Sequence, residues 1–132
     1  MSVKLPEKVT IVTGASQGIG AAVAEAFRRA GYAVVATSRS IHSSEPGLIA
    51  VPGDIAEAET AQRVVEQALD RFGRIDTLIN DAGIFIGKPF TAYTPDDYAA
   101  MTAVNLAGFF HITQASVRPP SVDLGIVLPY GR

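Results

Sequence analysis

The 132-residue chain contains no cysteine, no long hydrophobic run and no block of basic residues. Without cysteine it can form neither a disulfide framework nor a thiolate metal site. No apolar segment approaches the ~18 residues that a helix needs to span a bilayer, so the sequence predicts a soluble protein without a membrane segment. The 11 basic and 13 acidic residues nearly balance, which does not favour nucleic acid as a partner.

The composition is that of a globular protein. Hydrophobic residues make up 48% of the chain and charged residues 18%, which is enough apolar material to build a core. The segment Met1–Pro6 lacks the apolar centre of a signal peptide, and with the missing cysteine this favours a cytoplasmic location. The two histidines, His42 and His111, fit no metal-ligand spacing, so we predict no metal site.

Hydrophobic patterning predicts alternating strands and helices. Four short apolar runs have the character of buried strands: Lys8–Thr13, Ala33–Thr37, Leu48–Val51 and Asp76–Asn80. Apolar residues recur at helical spacing between them: Ile19, Val23, Ala26, Phe27 and Ala30, then Ala61, Val64, Val65, Ala68, Leu69 and Phe72. This order predicts an α/β fold, namely an incomplete Rossmann-type doubly wound parallel sheet of about four to five strands.

A further helix is predicted to begin at Pro95. Thr94 can cap it, and Asp97 stands where the acid of a capping box belongs. The helix is predicted to run through Gln114 and to end before the proline pair at 119–120, because a helix cannot continue through two prolines.

The most informative segment is Thr13–Gly20, which lies between the first strand and the first helix. A strand that turns directly into a helix aims backbone N–H groups and the positive end of the helix dipole at one spot, which favours a pyrophosphate. Gly14 is expected to make the tight turn, Gly18 to let phosphates approach the backbone, and Gly20 to let the helix pack closely. An ordinary strand-to-helix turn is the alternative.

The spacing G-x-x-x-G-x-G, with Asn80-Asp81-Ala82-Gly83 and Asn105, resembles the short-chain dehydrogenase/reductases from about Glu7 to Gln114. The resemblance implies a nicotinamide dinucleotide as cofactor. The cofactor-binding residues that it implies are Gly14, Ser16, Gly18, Ile19 and Gly20 at the phosphates, Asp54 and Ile55 at the adenine, and Asn80, Ala82 and Gly83 near the ribose. It also implies a catalytic role for Asn105, which in the family interrupts its helix and holds a water of a proton relay.

Two acidic residues within this pattern allow other interpretations. Asp54 would also make a good N-cap for the helix that follows it. Asp81 stands where the family has the second Asn of N-N-A-G, and it exchanges an amide donor for a charge. The N-D-A-G segment can also be a polar turn after a strand.

Ser38 and Arg39, at the end of the second predicted strand, bear on the choice of cofactor. Members of the family that prefer NAD carry an acid here, which binds the ribose 2′-hydroxyl. Ser38 removes that carboxylate, and the guanidinium of Arg39 can pair with a 2′-phosphate. A charged hydrogen bond of ~1.5–3 kcal/mol corresponds to roughly a ten- to hundredfold preference. The sequence therefore predicts NADP over NAD, with a solvated surface arginine as the alternative.

The catalytic Ser, Tyr and Lys of the family have no counterparts in this chain. No tyrosine is followed four positions later by lysine, and the last lysine is Lys88. We therefore expect the NADP(H)-binding portion of an oxidoreductase that transfers hydride between a carbonyl and an alcohol, inactive as an isolated chain. Relatives of full length would act on a small-molecule carbonyl or alcohol.

The predicted organisation is an NADP-binding domain in residues 1–114 and an atypical tail in residues 115–132, which we interpret as a truncated or out-of-register ending. Two alternatives stay open. One is a stand-alone nucleotide-binding or regulatory module in which Gly125–Leu128 completes the sheet. The other is a non-functional remnant in which the fourth strand is an exposed, aggregation-prone edge. Family members commonly pair through the helix that contains Asn105, which leaves a homo-oligomer open.

Overall fold

The computed structural model describes residues 8–118 and, for residues 125–127, the backbone alone. The strands are β1 Val9–Thr13, β2 Ala33–Ser38, β3 Leu48–Pro52, β4 Thr77–Asn80 and β5 Gly125–Val127. The helices are α1 Gly18–Arg29, α2 Ala58–Phe72, α3 Pro95–Thr102 and α4 Phe109–Val117, with a short 3₁₀ turn at Phe90–Ala92 and a π-helical segment at Ala103–Gly108 between α3 and α4.

The strands form one parallel sheet in the order β3-β2-β1-β4-β5. This confirms the predicted α/β fold with a doubly wound parallel sheet, and the count of five strands lies within the predicted range. The backbone of β5 pairs with β4, with Gly125 opposite Thr77. The idea that β4 is left as an exposed edge is therefore wrong, because β5 covers it. Leu128 lies outside the described residues.

Both faces of the sheet are covered by helices. Every residue of β1 is buried, as expected for a parallel strand between two helical layers. On one face α1 packs over a core built from Val12, Val34, Ala36 and Ile79. On the other face α2 and α4 cover a larger core that includes Ile11, Val35, Val64, Leu78 and Ile112.

The buried face of α1 differs from the predicted one. Gly20 and Ala24 are buried, with Val23 and Phe27 packed against the core. Ile19 is 58% exposed, and Ala26 and Ala30 are also exposed. The helix is rotated so that its smallest residues meet the sheet, because the close approach of α1 to β1 leaves no room for a larger side chain at Gly20.

The ends of the other helices follow the sequence pattern closely. Gly73 ends α2 in the left-handed conformation with φ of 76°. The capping box of α3 is complete: Asp97 N–H donates to Thr94 Oγ1 at 3.1 Å, and Thr94 N–H donates to Asp97 Oδ2 at 2.9 Å. The helical segment passes Gln114 and ends at Val117, before the proline pair.

Asp76 fastens the start of β4 to the start of β1. Its Oδ2 accepts from Val9 N–H at 2.8 Å, and its own N–H donates to Val9 O at 2.8 Å. The Arg74 guanidinium donates to both carboxylate oxygens, at 2.9 and 2.6 Å. Burial opposes ionisation of Asp76, but the hydrogen bonds from Arg74 and Val9 outweigh it, so the pKa lies below its ordinary value of 3.8.

We expect Asp76 to contribute to acid unfolding. Because its folded-state pKa is lowered, its stabilising contribution is full above about pH 4 and is lost as the pH falls through the folded-state pKa. Urea unfolding at pH 7 and at pH 3 measures this loss. Asp76→Asn should be less stable than the parent at pH 7 and should lose less stability between the two pH values. An equal loss in both proteins would contradict the role of this carboxylate.

Candidate functional site

The predicted site residues meet at the carboxyl edge of the sheet. Thr13, the last residue of β1, lies opposite Thr37 of β2 on one side and Asn80 of β4 on the other. Ser38 lies opposite Pro52, the last residue of β3. Because all these strands are parallel, the loops that follow them open on the same side, where ligands of such sheets bind.

The glycine loop packs closely against its neighbours at two of its three glycines. Gly14 and Gly18 have φ of 64° and 57°, which favours glycine over any other residue. A Cβ on Gly14 would lie 3.0 Å from the backbone of Ala82, and a Cβ on Gly20 would overlap the Gly14 carbonyl. A Cβ on Gly18 would meet nothing within 4 Å. Gly14 and Gly20 therefore serve close packing, while Gly18 borders open space.

The first turn of α1 is suited to an anion. The Gln17 side chain makes no capping hydrogen bond, and the first turn contains no acidic residue. The N–H groups of this turn and the positive end of the helix dipole lie at the Gly18 end of α1, next to the open space at Gly18. Ser16 and Ile19 are exposed at the rim of this space.

Asn80 is held inside the protein by a chain of side-chain hydrogen bonds. It is 3% exposed. Thr13 Oγ1 donates to Asn80 Oδ1 at 3.4 Å and accepts from Ala82 N–H at 3.0 Å. Asn80 Nδ2 donates to Thr113 Oγ1 at 3.3 Å. Its side chain thus fixes the ends of β1 and β4 to α4, and this orients the backbone of Ala82 and Gly83.

The sequence pattern alone assigns no role to the two threonines of this chain of hydrogen bonds. Thr13 is the last residue of β1, directly before the turn at Gly14, and a short hydroxyl residue at that position is a usable signal. Thr113 has no comparable local signal, because its contact with Asn80 joins residues 33 positions apart.

Ser38 and Arg39 lie where β2 leaves the sheet. Ser38 Oγ accepts from Ser40 N–H at 3.2 Å, which shapes the turn. Arg39 is exposed, and within the described residues it makes no hydrogen bond or ion pair. Its guanidinium is therefore available to a ligand at the carboxyl edge.

Asp54 shapes the turn between β3 and α2. Its Oδ1 accepts from Ala56 N–H at 3.0 Å, and its carbonyl accepts from Glu57 N–H at 3.0 Å. The N-cap of α2 is Glu57, so the interpretation of Asp54 as the helix cap is wrong. The carboxylate bonds to its own turn, and the helix begins three residues after the position that a cap at Asp54 requires.

Ile55 is a core residue of the second layer. It is 7% exposed, and a Cβ on Gly108 would lie 2.8 Å from Ile55 Cγ2. Gly108 therefore allows the helical segment before α4 to approach this turn closely.

Asn105 lies in the π-helical segment, so the helix is interrupted where the resemblance implied. Its Oδ1 accepts from Ile84 N–H at 2.8 Å, and its Nδ2 donates to Ile84 O at 2.8 Å. These two bonds hold the loop after β4 against the helix. The residue therefore positions the backbone next to Gly83, and its place in a proton relay stays a prediction.

Other features of the described residues lie apart from this edge. A surface groove of about 680 Å³ between β3 and α2 contains none of the predicted site residues. Within residues 8–118 no group of three or more His, Asp or Glu side chains could hold a metal ion. None of the helices in the described part of the chain has the length and apolar character needed to cross a membrane.

Comparison with known proteins agrees with this geometry. The family model for short chain dehydrogenases matches residues 8–119. An uncharacterised oxidoreductase of Methylorubrum extorquens is 37% identical over 124 residues, which covers 86% of this chain and 50% of that protein. The chain spans about half the length of the curated relatives it matches.

Solved structures share the fold. A short-chain dehydrogenase/reductase of Brucella melitensis, described as a glucose/ribitol dehydrogenase, superposes with a TM-score of 0.83 at 29% identity, over 97% of this chain and 58% of that one. A 3-ketoacyl-(acyl-carrier-protein) reductase of Brucella melitensis in complex with NADH superposes with a TM-score of 0.79 at 30% identity, over 86% of this chain and 50% of that one. The chain therefore belongs to the short-chain dehydrogenase/reductase family of oxidoreductases, which bind a nicotinamide dinucleotide on this fold.

Proposed function

We propose that this chain binds NADP(H) in preference to NAD(H) at the carboxyl edge of its sheet. The observation that carries the preference is Arg39, an exposed guanidinium that pairs with no described residue and follows β2 directly. Ser38 beside it brings no negative charge that would repel a 2′-phosphate.

The remaining contacts follow the order of the loops. The first turn of α1 and the backbone around Gly18 would hold the pyrophosphate, with Ser16 and Ile19 at its rim. Asp54 and the Ile55 backbone would meet the adenine. Ala82 and Gly83 would pass beside a ribose, with Asn80 as the residue that positions them.

We assign the chain by descent to enzymes that transfer hydride between a small-molecule carbonyl or alcohol and the cofactor, and we place it in the cytoplasm. On its own it should not turn over, because it holds no Tyr-x-x-x-Lys pair. A general acid alone typically contributes ~10²–10⁴-fold to the reaction rate, and this contribution is lost without the tyrosine. Asn105 would regain a catalytic role only where those groups are supplied.

A second function, a stand-alone nucleotide-binding or regulatory module, is favoured by one observation. Gly125–Val127 pairs with β4, so this part of the predicted tail belongs to the same sheet as β1 to β4. A single cooperative thermal transition of the whole chain supports this module. If Ile126→Pro, which disrupts β5, leaves the melting temperature unchanged, the division at residue 114 is supported instead.

The cofactor preference is tested by fluorescence titration of the purified chain with NADPH and with NADH. We expect NADPH to bind roughly ten- to hundredfold more tightly, since one charged hydrogen bond distinguishes the two ligands. Equal affinities would overturn the role of Arg39 and leave a site for both nucleotides. Binding of neither by a folded chain would overturn the proposed function.

We also propose that two copies of the chain pair through the segment that contains Asn105. In this segment Leu106 is 63% exposed, and in α4 directly after it Phe110 and Val117 are 54% and 49% exposed. Phe110→Ser should shift the sedimentation profile from dimer to monomer without loss of the cooperative melt, because Phe110 is more than half exposed and its ring contact within one copy is with its neighbour His111. A parent chain that sediments as a monomer at all concentrations would contradict this pairing.

A further inference from the structure

Asp81 places a carboxylate at the first turn of α1. A Cβ on Gly20, the third residue of α1, would lie 2.8 Å from Asp81 Oδ2. The Asp81 backbone lies equally close to the start of the loop, since a Cβ on Gly14 would lie 3.1 Å from its carbonyl carbon. The residue that follows β4 is therefore in contact with the glycine loop at both of its packed positions.

Asp81 brings a negative charge to the first turn of α1, where the helix itself supplies none. The first turn of α1 has no acidic residue of its own, and Gln17 supplies no side-chain cap. The basic residues of the helix, Arg28 and Arg29, are in its last turn. A carboxylate brought to this turn from β4 interacts favourably with the positive end of the helix dipole.

We infer that Asp81 is an internal counter-charge that stabilises the glycine loop of the free chain and weakens its affinity for a dinucleotide. The inference rests on the proposed function, because it concerns the same anion-binding turn. A pyrophosphate at the start of α1 uses the positive potential that Asp81 already reduces, and it is repelled by the carboxylate. Asp81 thus sets how tightly this chain holds its cofactor.

Replacement of the charge tests the inference. Asp81→Asn keeps the shape of the side chain, and Asp81→Ser removes the charge while it keeps a hydrogen-bonding group. Both variants should bind NADPH about tenfold more tightly than the parent, since a unit charge is removed next to the phosphates. Both should melt about 2–4 °C lower without ligand, because the helix dipole loses its partner. Glu66→Gln, a change of an exposed carboxylate in the middle of α2, is the matched control and should alter neither value.

The dependence of NADPH affinity on salt concentration distinguishes an electrostatic role of Asp81 from a structural one. The gain in affinity should shrink as the ionic strength rises from about 0.02 M to 0.5 M, because the screening length falls to a few ångströms. NADPH affinities that agree within twofold among parent, Asp81→Asn and Asp81→Ser would overturn the inference while the proposed function stands. Failure of parent and variants alike to bind NADPH would overturn both. Weak binding by the parent with tighter binding by both uncharged variants would support the inference.

Discussion

Gly18→Ala is expected to abolish most NADPH binding while the chain stays folded. Gly18 has φ of 57°, so alanine there costs about 1–2 kcal/mol of backbone strain, and its Cβ meets no other atom of the described chain within 4 Å. The methyl group would extend into the space that the pyrophosphate must occupy. We expect NADPH affinity to fall at least about tenfold in a fluorescence titration, a loss of ~1.4 kcal/mol or more.

Gly73→Ala is the matched control for this substitution. Gly73 also has a positive φ, 76°, and an alanine Cβ there would likewise meet nothing within 4 Å. It ends α2, and its N–H donates to Leu69 O within that helix. The two variants should therefore lose similar stability, while only Gly18→Ala loses affinity. Equal NADPH affinity in both variants would refute the placement of the phosphates at Gly18.

Gly20→Ala extends the comparison to packing. Its Cβ would overlap the carbonyl of Gly14, and backbone atoms cannot move aside as a flexible side chain does. We expect a loss of about 3 kcal/mol in urea unfolding, at the upper end for an overpacked position. A stability equal to that of the Gly18→Ala variant would show that α1 has room to move away from the sheet.

Arg39→Ala is expected to lower NADPH affinity by roughly ten- to hundredfold and to leave NADH affinity unchanged. The physical reason is the loss of one charged hydrogen bond of ~1.5–3 kcal/mol to the 2′-phosphate, a group that NADH lacks. Parallel titrations of both nucleotides measure the ratio of the two affinities. Arg71→Ala, an exposed arginine of α2, is the control and should leave that ratio at the parent value.

Ser38→Asp tests the same preference from the opposite direction. The new carboxylate can still accept from Ser40 N–H as Ser38 Oγ does, so the turn should keep its shape. It would repel the 2′-phosphate of NADPH and could accept from the 2′-hydroxyl of NADH. A preference reversed toward NADH is the expected result. An unchanged ratio in Arg39→Ala and Ser38→Asp would mean that the adenosine ribose lies elsewhere.

Much of the fold could be predicted because the decisive signals are local. The sequence predicts the strands β1 to β4 to within a residue or two at each end, since buried parallel strands are short continuous apolar runs between turn residues. Gly73 and the pair Thr94 and Asp97 marked helix ends for the same reason, because caps depend on neighbours within four residues.

The sequence predictions that are wrong concern features set by the three-dimensional structure around each residue. The rotation of α1 that exposes Ile19 is set by the approach of Gly20 to Gly14 and Asp81, which helical spacing alone does not reveal. The N-cap of α2 is Glu57 and not Asp54, because the Asp54 carboxylate accepts a hydrogen bond within its own turn.

The candidate site also has features that local sequence predicts and features that depend on contacts between distant residues. Glycine spacing predicts the loop from local sequence alone, and Gly14 and Gly18 have the positive φ angles that glycine adopts readily. The inward orientation of Asn80, by contrast, depends on Thr13 and Thr113, which join it from two other elements. The motif identifies Asn105, but its two hydrogen bonds to the Ile84 backbone can be seen only in the folded structure, because the two residues are 21 positions apart.

The most direct test of dinucleotide binding at the carboxyl edge is an amide-resolved NMR titration of the chain with NADPH. We expect the largest shift changes in residues 14–20, 38–39, 54–55 and 80–83, with little change along the groove between β3 and α2. Changes confined to that groove, or a spectrum unaltered by saturating NADPH, would contradict this expectation.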